Sequence, residues 1–124
     1  MAYFANYAFW NYFTLPKLLM NPSIIWNELE PGLLEANFPE SIPTHCKKQN
    51  FKFDMVNGNL IQHNYTAEII SGLANAAHVI VSHSKMNGLN VPSRRIVSPK
   101  LPNGKALGFP VLIDIQVHNY KIIT

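Results

Sequence analysis

The chain has 124 residues and a mass of 14.0 kDa, which is the size of one domain. Only 14% of the residues are charged and 48% are hydrophobic, a balance that excludes intrinsic disorder and a coiled coil. Seventeen charged side chains cover such a surface thinly, so part of it is expected to be buried against another copy, a partner, a ligand or a lipid.

The single Cys46 excludes an internal disulfide and a cysteine-based metal framework. It points to a reducing, cytoplasmic compartment. Charge is unevenly spread along the chain. Residues 1–44 carry a net −3 and residues 45–124 a net +6, so the basic part could meet a phosphate-bearing partner.

The N-terminus is aromatic, with Tyr3, Phe4, Tyr7, Phe9, Trp10, Tyr12 and Phe13. It lacks the basic start and aliphatic run of a signal peptide. Pro16 and Lys17 interrupt it before the roughly 20 residues that a spanning helix needs. No Lys or Arg face marks an interfacial helix, so membrane contact is disfavoured. A short aromatic helix or arm over residues 1–20 is the expectation, packed on the domain or on a neighbour.

Ser23 to Phe38 reads as two strands joined at Pro31-Gly32, because Pro31 would break a helix and the pair suits a type II turn. Phe51 to Met55 alternates apolar and polar like a half-buried strand. Asn57-Gly58 then signals a tight turn into Leu60 and Ile61.

The spacing next predicts a helix over Tyr65–Met86, capped by Asn64 and closed by Asn87-Gly88. Glu68, Ser71, Asn75, His78, Ser82 and Lys85 recur at three and four and form one thin polar stripe. A helix with so narrow a seam is buried. Leu89 to Lys105 follows as a basic, proline-rich connection with a short strand near Arg95-Ile96-Val97. Val111 to Ile122 alternates and reads as a strand. The plan is a single α+β domain, with antiparallel strands before and after one long buried helix.

Three pieces make this plan resemble the hotdog fold of acyl-thioester enzymes (thioesterase- and dehydratase-like). They are Asn27 to Ala36 with its Pro-Gly turn, Asn57 to Asn64, and Gly72 to Ala77. The resemblance covers residues 23–80 and implies an antiparallel sheet wrapped around the central helix. It departs from the family in lacking the His-Gly-Gly signature, since Asn64 and Tyr65 follow His63, and in placing the helix acid early, at Glu68.

The resemblance implies binding or hydrolysis of an acyl-CoA or an acyl-carrier thioester. Free amides at the helix N-terminus, near Asn64 to Thr66, would polarise the carbonyl. Glu68 and His63 would move the proton or activate water, with Gln62 and Asn64 orienting it. Tyr65 would contact the substrate. Arg94, Arg95 and Lys100, with Lys105, would hold phosphates.

Other chemistry is thin. His78 and His83 are a poor metal pair for that helix, and neither a metal nor a cofactor is expected. Lys47 and Lys48 beside Cys46 could lower its thiol pKa, but a free loop cysteine is the plainer account. No aromatic lies between Lys85 and Lys105, so nucleic acid is disfavoured. A homodimer is expected. The rival class is a non-enzymatic assembly subunit, viral or organellar, that docks through its aromatic N-terminus.

Overall fold

The computed structural model describes residues 17–44, 46–66, 75–119 and 121. These residues form one seven-stranded antiparallel sheet in which each strand pairs with its sequence neighbour. The strands are β1 (Ile25–Glu30), β2 (Leu33–Asn37), β3 (Lys48–Phe53), β4 (Leu60–Thr66), β5 (Asn75–Met86), β6 (Leu89–Pro99) and β7 (Ile113–Gln116). The helical content of the described residues is one 3-10 turn, Lys17–Met20.

The turns follow their local chemistry. Pro31-Gly32 joins β1 to β2, with Gly32 at φ +81°, and the Phe53 amide donates to the Gly32 carbonyl at 2.7 Å. Between β3 and β4, Asp54 Oδ1 accepts from the amides of Val56 and Asn57 at 2.8 and 3.2 Å. Asn87 and Gly88 both have positive φ, at 50° and 81°, as a two-residue type I′ hairpin requires.

The expected long helix is therefore overturned. Residues 60–66 and 75–86 are two neighbouring strands, and residues 67–74 lie outside the described part. With no central helix among the described residues, the hotdog-like α+β plan is corrected to an antiparallel meander. The physical cause is burial on both faces. From Ala76 to Ile80 every residue is buried or half-buried, so β5 loses the alternation of a one-sided strand. A continuous apolar run cannot be told from a buried helix by periodicity. The Asn-Gly pair that suits a helix end also suits a hairpin, and here it makes the hairpin.

Two expected strand pairs are present, β1–β2 across Pro31-Gly32 and β3–β4 across Asn57-Gly58. The short strand near Arg95 is part of the eleven-residue β6. The C-terminal strand is shorter than its sequence pattern, spanning Ile113–Gln116. The aromatic arm expected within residues 1–20 lies outside the described residues up to position 16.

The register sets the layers. Leu34, Phe51, His63, His78, Val97 and Ile113 stand opposite one another across β2 to β7. Two residues along, on the same face, run Trp26, Ala36, Gln49, Tyr65, Ala76 and Pro99. This face holds the core. Phe51, Ala36, Ile80 and Leu60 pack with Ile24, Phe38 and Ile42, and Leu18 and Leu19 of the 3-10 turn close over them. A second cluster joins Cys46, Tyr65, Ala76 and Val97.

Gly32 and Gly58 separate two reasons for glycine. Both have positive φ, but a Cβ at Gly32 would lie 2.9 Å from the Phe53 carbonyl oxygen, whereas at Gly58 it would meet open space. Gly32→Ala is expected to destabilise the protein by about 2 kcal/mol or more, and Gly58→Ala by about 1 kcal/mol. Urea unfolding of the two variants checks the order.

Candidate functional site

Strand β4 reads Leu60-Ile61-Gln62-His63-Asn64-Tyr65-Thr66, and the period of two sends its polar residues to opposite faces. Gln62 and Asn64 occupy the face opposite the core. Along that face the register aligns Glu35, Asn50, Asn64, Ala77 and Ser98.

The segment after β6 folds back across this polar face. It closes on itself through a Lys100–Ala106 bridge and the Leu101 amide donating to the Lys105 carbonyl at 2.9 Å. Two amide side chains hold it down. Gln62 Nε2 and Asn64 Nδ2 donate to the Gly104 carbonyl at 2.9 and 3.1 Å, and Gln62 Nε2 also donates to Asn64 Oδ1 at 2.7 Å. At the loop's return, the Gly108 amide donates to Ser98 Oγ at 3.0 Å. Between Asn64 and Ser98 in the register lies Ala77, fully buried, whose small side chain lets the loop cross.

The loop and the sheet enclose an open cleft of about 500 Å³. Glu30, Asn50, Lys52, Gln62, Asn64, Lys100, Asn103 and Lys105 supply its polar wall. A second cavity of about 330 Å³ adjoins it, bordered by Glu35, Cys46, Lys48 and Tyr65. Asn50, Asn64 and Lys100 line both.

The charges of the cleft are unequally matched. Lys48 lies 3.9 Å from Glu35. Lys52, Lys100 and Lys105 make no ion pair or side-chain hydrogen bond among the described residues. Burial pushes the Lys100 ammonium down from the ordinary lysine range, and the Cys46 thiol opposes part of that shift. Asn50 Oδ1 is buried without a hydrogen-bond partner among the described residues. A desolvated cation and an unspent amide acceptor are both costly unless something arrives to meet them.

On the core face lies a separate polar row. His63 Nε2 donates to Gln49 Oε1 at 2.6 Å, and Gln49 Nε2 donates to Thr44 Oγ1 and the Cys46 carbonyl, each at 2.6 Å. Those two donor bonds fix the amide orientation, and the amide fixes the histidine tautomer. The His63 ring stacks on Phe51 at 4.4 Å, and the His63 and His78 centroids are 5.4 Å apart. His78 Nε2 bonds the Tyr65 hydroxyl at 2.7 Å. These side chains are closed to solvent and build the core.

The residues expected to act together are thus divided. Gln62, Asn64 and Lys100 do meet, at the cleft, and Tyr65 borders its smaller part. His63 belongs to the buried row on the other face. Glu68 lies outside the described residues. Arg95 is buried on the core face, opposite Ile80. Arg94 pairs with Asp114, donating from Nε and Nη2 at 3.1 and 2.8 Å. That bond and the partner's opposite charge hold the arginine above its usual range and the aspartic acid below its own.

Asn50 and Lys52 are the cleft residues that sequence reasoning missed. The alternation of Lys48 to Phe53 was the signal, because it puts Asn50 and Lys52 together opposite Phe51. Among the described residues no group of three metal-ligating side chains gathers, and no helix is long and apolar enough to cross a membrane. The fold and the cleft define a helix-poor β-sheet domain with a polar, cation-lined pocket. No family model, curated protein or solved structure matches the chain.

One histidine outside the cleft sets a pH dependence. Burial and then the Arg95 charge push His83 below its ordinary value of 6.5. The unfolded chain therefore takes up this proton at a higher pH than the folded one. The contribution is present above about pH 6.5, is lost as pH falls toward the folded value, and levels off below it. His83→Gln is expected to flatten stability against pH just below 6.5, as read by thermal unfolding in a buffer series.

Proposed function

We propose that the protein is a binding module whose cleft takes a small anion bearing hydroxyl groups, such as a sugar phosphate or the phosphate end of coenzyme A. The observation that carries this reading is the meeting of three lysines, unpaired among the described residues, with the side-chain amides of Asn50, Gln62, Asn64 and Asn103 in one cavity. Ammonium groups supply charge for a phosphate or carboxylate. Amides both donate and accept, which suits hydroxyl groups. Binding is favoured over thioester hydrolysis because Asn64 to Thr66 lie in a strand whose amides pair with neighbours. They cannot offer the free donors of a helix end.

Titration calorimetry at low salt tests the reading. Ribose 5-phosphate and coenzyme A are expected to bind, and neutral ribose to bind far more weakly. Lys52→Gln and Lys105→Gln should each weaken phosphate binding about tenfold, the worth of one charge-assisted hydrogen bond. Arg94→Gln should leave it unchanged, because that guanidinium is committed to Asp114. Absence of binding, or equal losses in all three variants, refutes the site.

A second reading has its own observation. Leu107, Phe109, Val111 and Leu112 are half-exposed or more, with Phe109 at 80%, and they lead into the sheet's edge strand β7. An apolar run beside an open edge suits docking of a second copy edge to edge. This keeps assembly in view without using the N-terminal residues. Sedimentation velocity should show a dimer that Phe109→Ser together with Leu112→Ser converts to monomer. A wild-type monomer at high micromolar concentration would rule this contact out.

A further inference from the structure

We propose that Lys100 is a nucleophile that forms a reversible imine with an aldehyde or ketone group on the anion held in the cleft. The inference rests on the cleft being an anion site and adds a covalent step to it.

Position is the first argument. Lys100 is the one lysine that lines both cavities, the larger anion cleft and the smaller chamber bordered by Glu35 and Tyr65. It follows directly on β6 and is anchored by its backbone bridge to Ala106. A ligand whose phosphate meets Lys52 and Lys105 would extend toward it.

Electrostatics is the second argument. Lys100 is only partly exposed and has no carboxylate partner among the described residues, whereas Lys48, beside it in the smaller cavity, has Glu35. Desolvation without a counter-ion disfavours the ammonium and raises the share of neutral amine. The Cys46 thiol opposes part of this effect, and burial outweighs it. An amine in such surroundings is the activated form of a lysine nucleophile. Lys52 and Lys105 are exposed and lack this desolvation.

The step balances without an oxidant or a second substrate. The amine lone pair attacks the carbonyl carbon, forming a C–N bond while the oxygen takes a proton. The carbinolamine then loses water and a proton to leave the neutral C=N bond. Water or the Glu35 carboxylate, which shares the smaller cavity, carries the protons. Hydrolysis reverses the sequence and frees the amine.

Pyridoxal 5′-phosphate is the probe, since it joins an aldehyde to a phosphate, and borohydride reduction fixes any imine as a stable secondary amine. Peptide mapping by mass spectrometry of the intact 124-residue chain is expected to place most of the label on Lys100. Lys100→Arg should lose that label; pyridoxine 5′-phosphate, which has an alcohol in place of the aldehyde, reads binding without imine formation. In the wild type, pyridoxine 5′-phosphate should compete with labelling. Label spread evenly over Lys100, Lys52, Lys105 and the remote Lys85 overturns the imine. So does competitive binding of the alcohol with no trapped adduct, which leaves the anion site standing. Failure of both phosphates to bind overturns the two readings together. The wild-type map decides the matter even if Lys100→Arg folds poorly.

Discussion

Strand β4 is the element on which both polar systems depend. Gln62, His63, Asn64 and Tyr65 are consecutive, and the pleat sends them alternately to the cleft and to the core. A slip of one residue against β3 or β5 would exchange the two sets. The amides that tie down the loop would be buried among Phe51 and Val97. The histidine that needs Gln49 would face water. Register is therefore worth more here than in a strand with one polar face. It is pinned from the core side by the Gln49–His63 and Tyr65–His78 hydrogen bonds. A buried amide or imidazole that misses its partner costs on the order of 1–3 kcal/mol, so each bond penalises the slipped sheet.

The buried row and the cleft are thus one construction. Core polar residues are commonly a burden, because desolvation offsets much of what their bonds return. In this sheet they act as register keys for the face that meets solvent. Phe51 stacked on His63 adds shape to the same key, since a flat ring fits a flat ring only when the strands are aligned. The loop then needs little help of its own. Two side-chain amides on one strand, a serine hydroxyl two strands away and an alanine between them are enough to lay it across the sheet.

Local turn chemistry was legible in the sequence because it depends on single residues. Pro31-Gly32 and Asn57-Gly58 each make the expected connection. The central strands were not legible, because their signal is shared with another structure. Apart from His78, Ala76 to Val81 is apolar on both faces, and small residues with β-branched ones suit a helix packed all round as well as a covered strand. Asn87-Gly88 deepened the ambiguity by ending either element. The site was legible in part. Gln62, Asn64 and Tyr65 are expected at a helix terminus and Lys100 in a phosphate-holding loop, but Gln62, Asn64 and Lys100 meet at the cleft because alternate residues of a strand share a face and a loop returns over it. His63 was misplaced by the same error, since a loop histidine and a strand histidine next to Asn64 point in different directions.

The shortage of charge now has a location in the fold. Ten strand positions of β5 and β6 are buried, and these two long strands include no ionised lysine, arginine or carboxylate beyond Lys85, Arg94 and Arg95. Their burial explains a large part of the low charge without any partner. The charges that remain are concentrated where they do not cancel. Arg94 and Asp114 satisfy each other, as do Lys48 and Glu35 at longer range, whereas Lys52, Lys100 and Lys105 line one cleft with no ion pair among the described residues. Three ammonium groups against the single carboxylate of Glu30 among the described lining residues give the cleft a local positive potential. Low dielectric walls strengthen that field, and Lys100, the most desolvated of the three, feels it most.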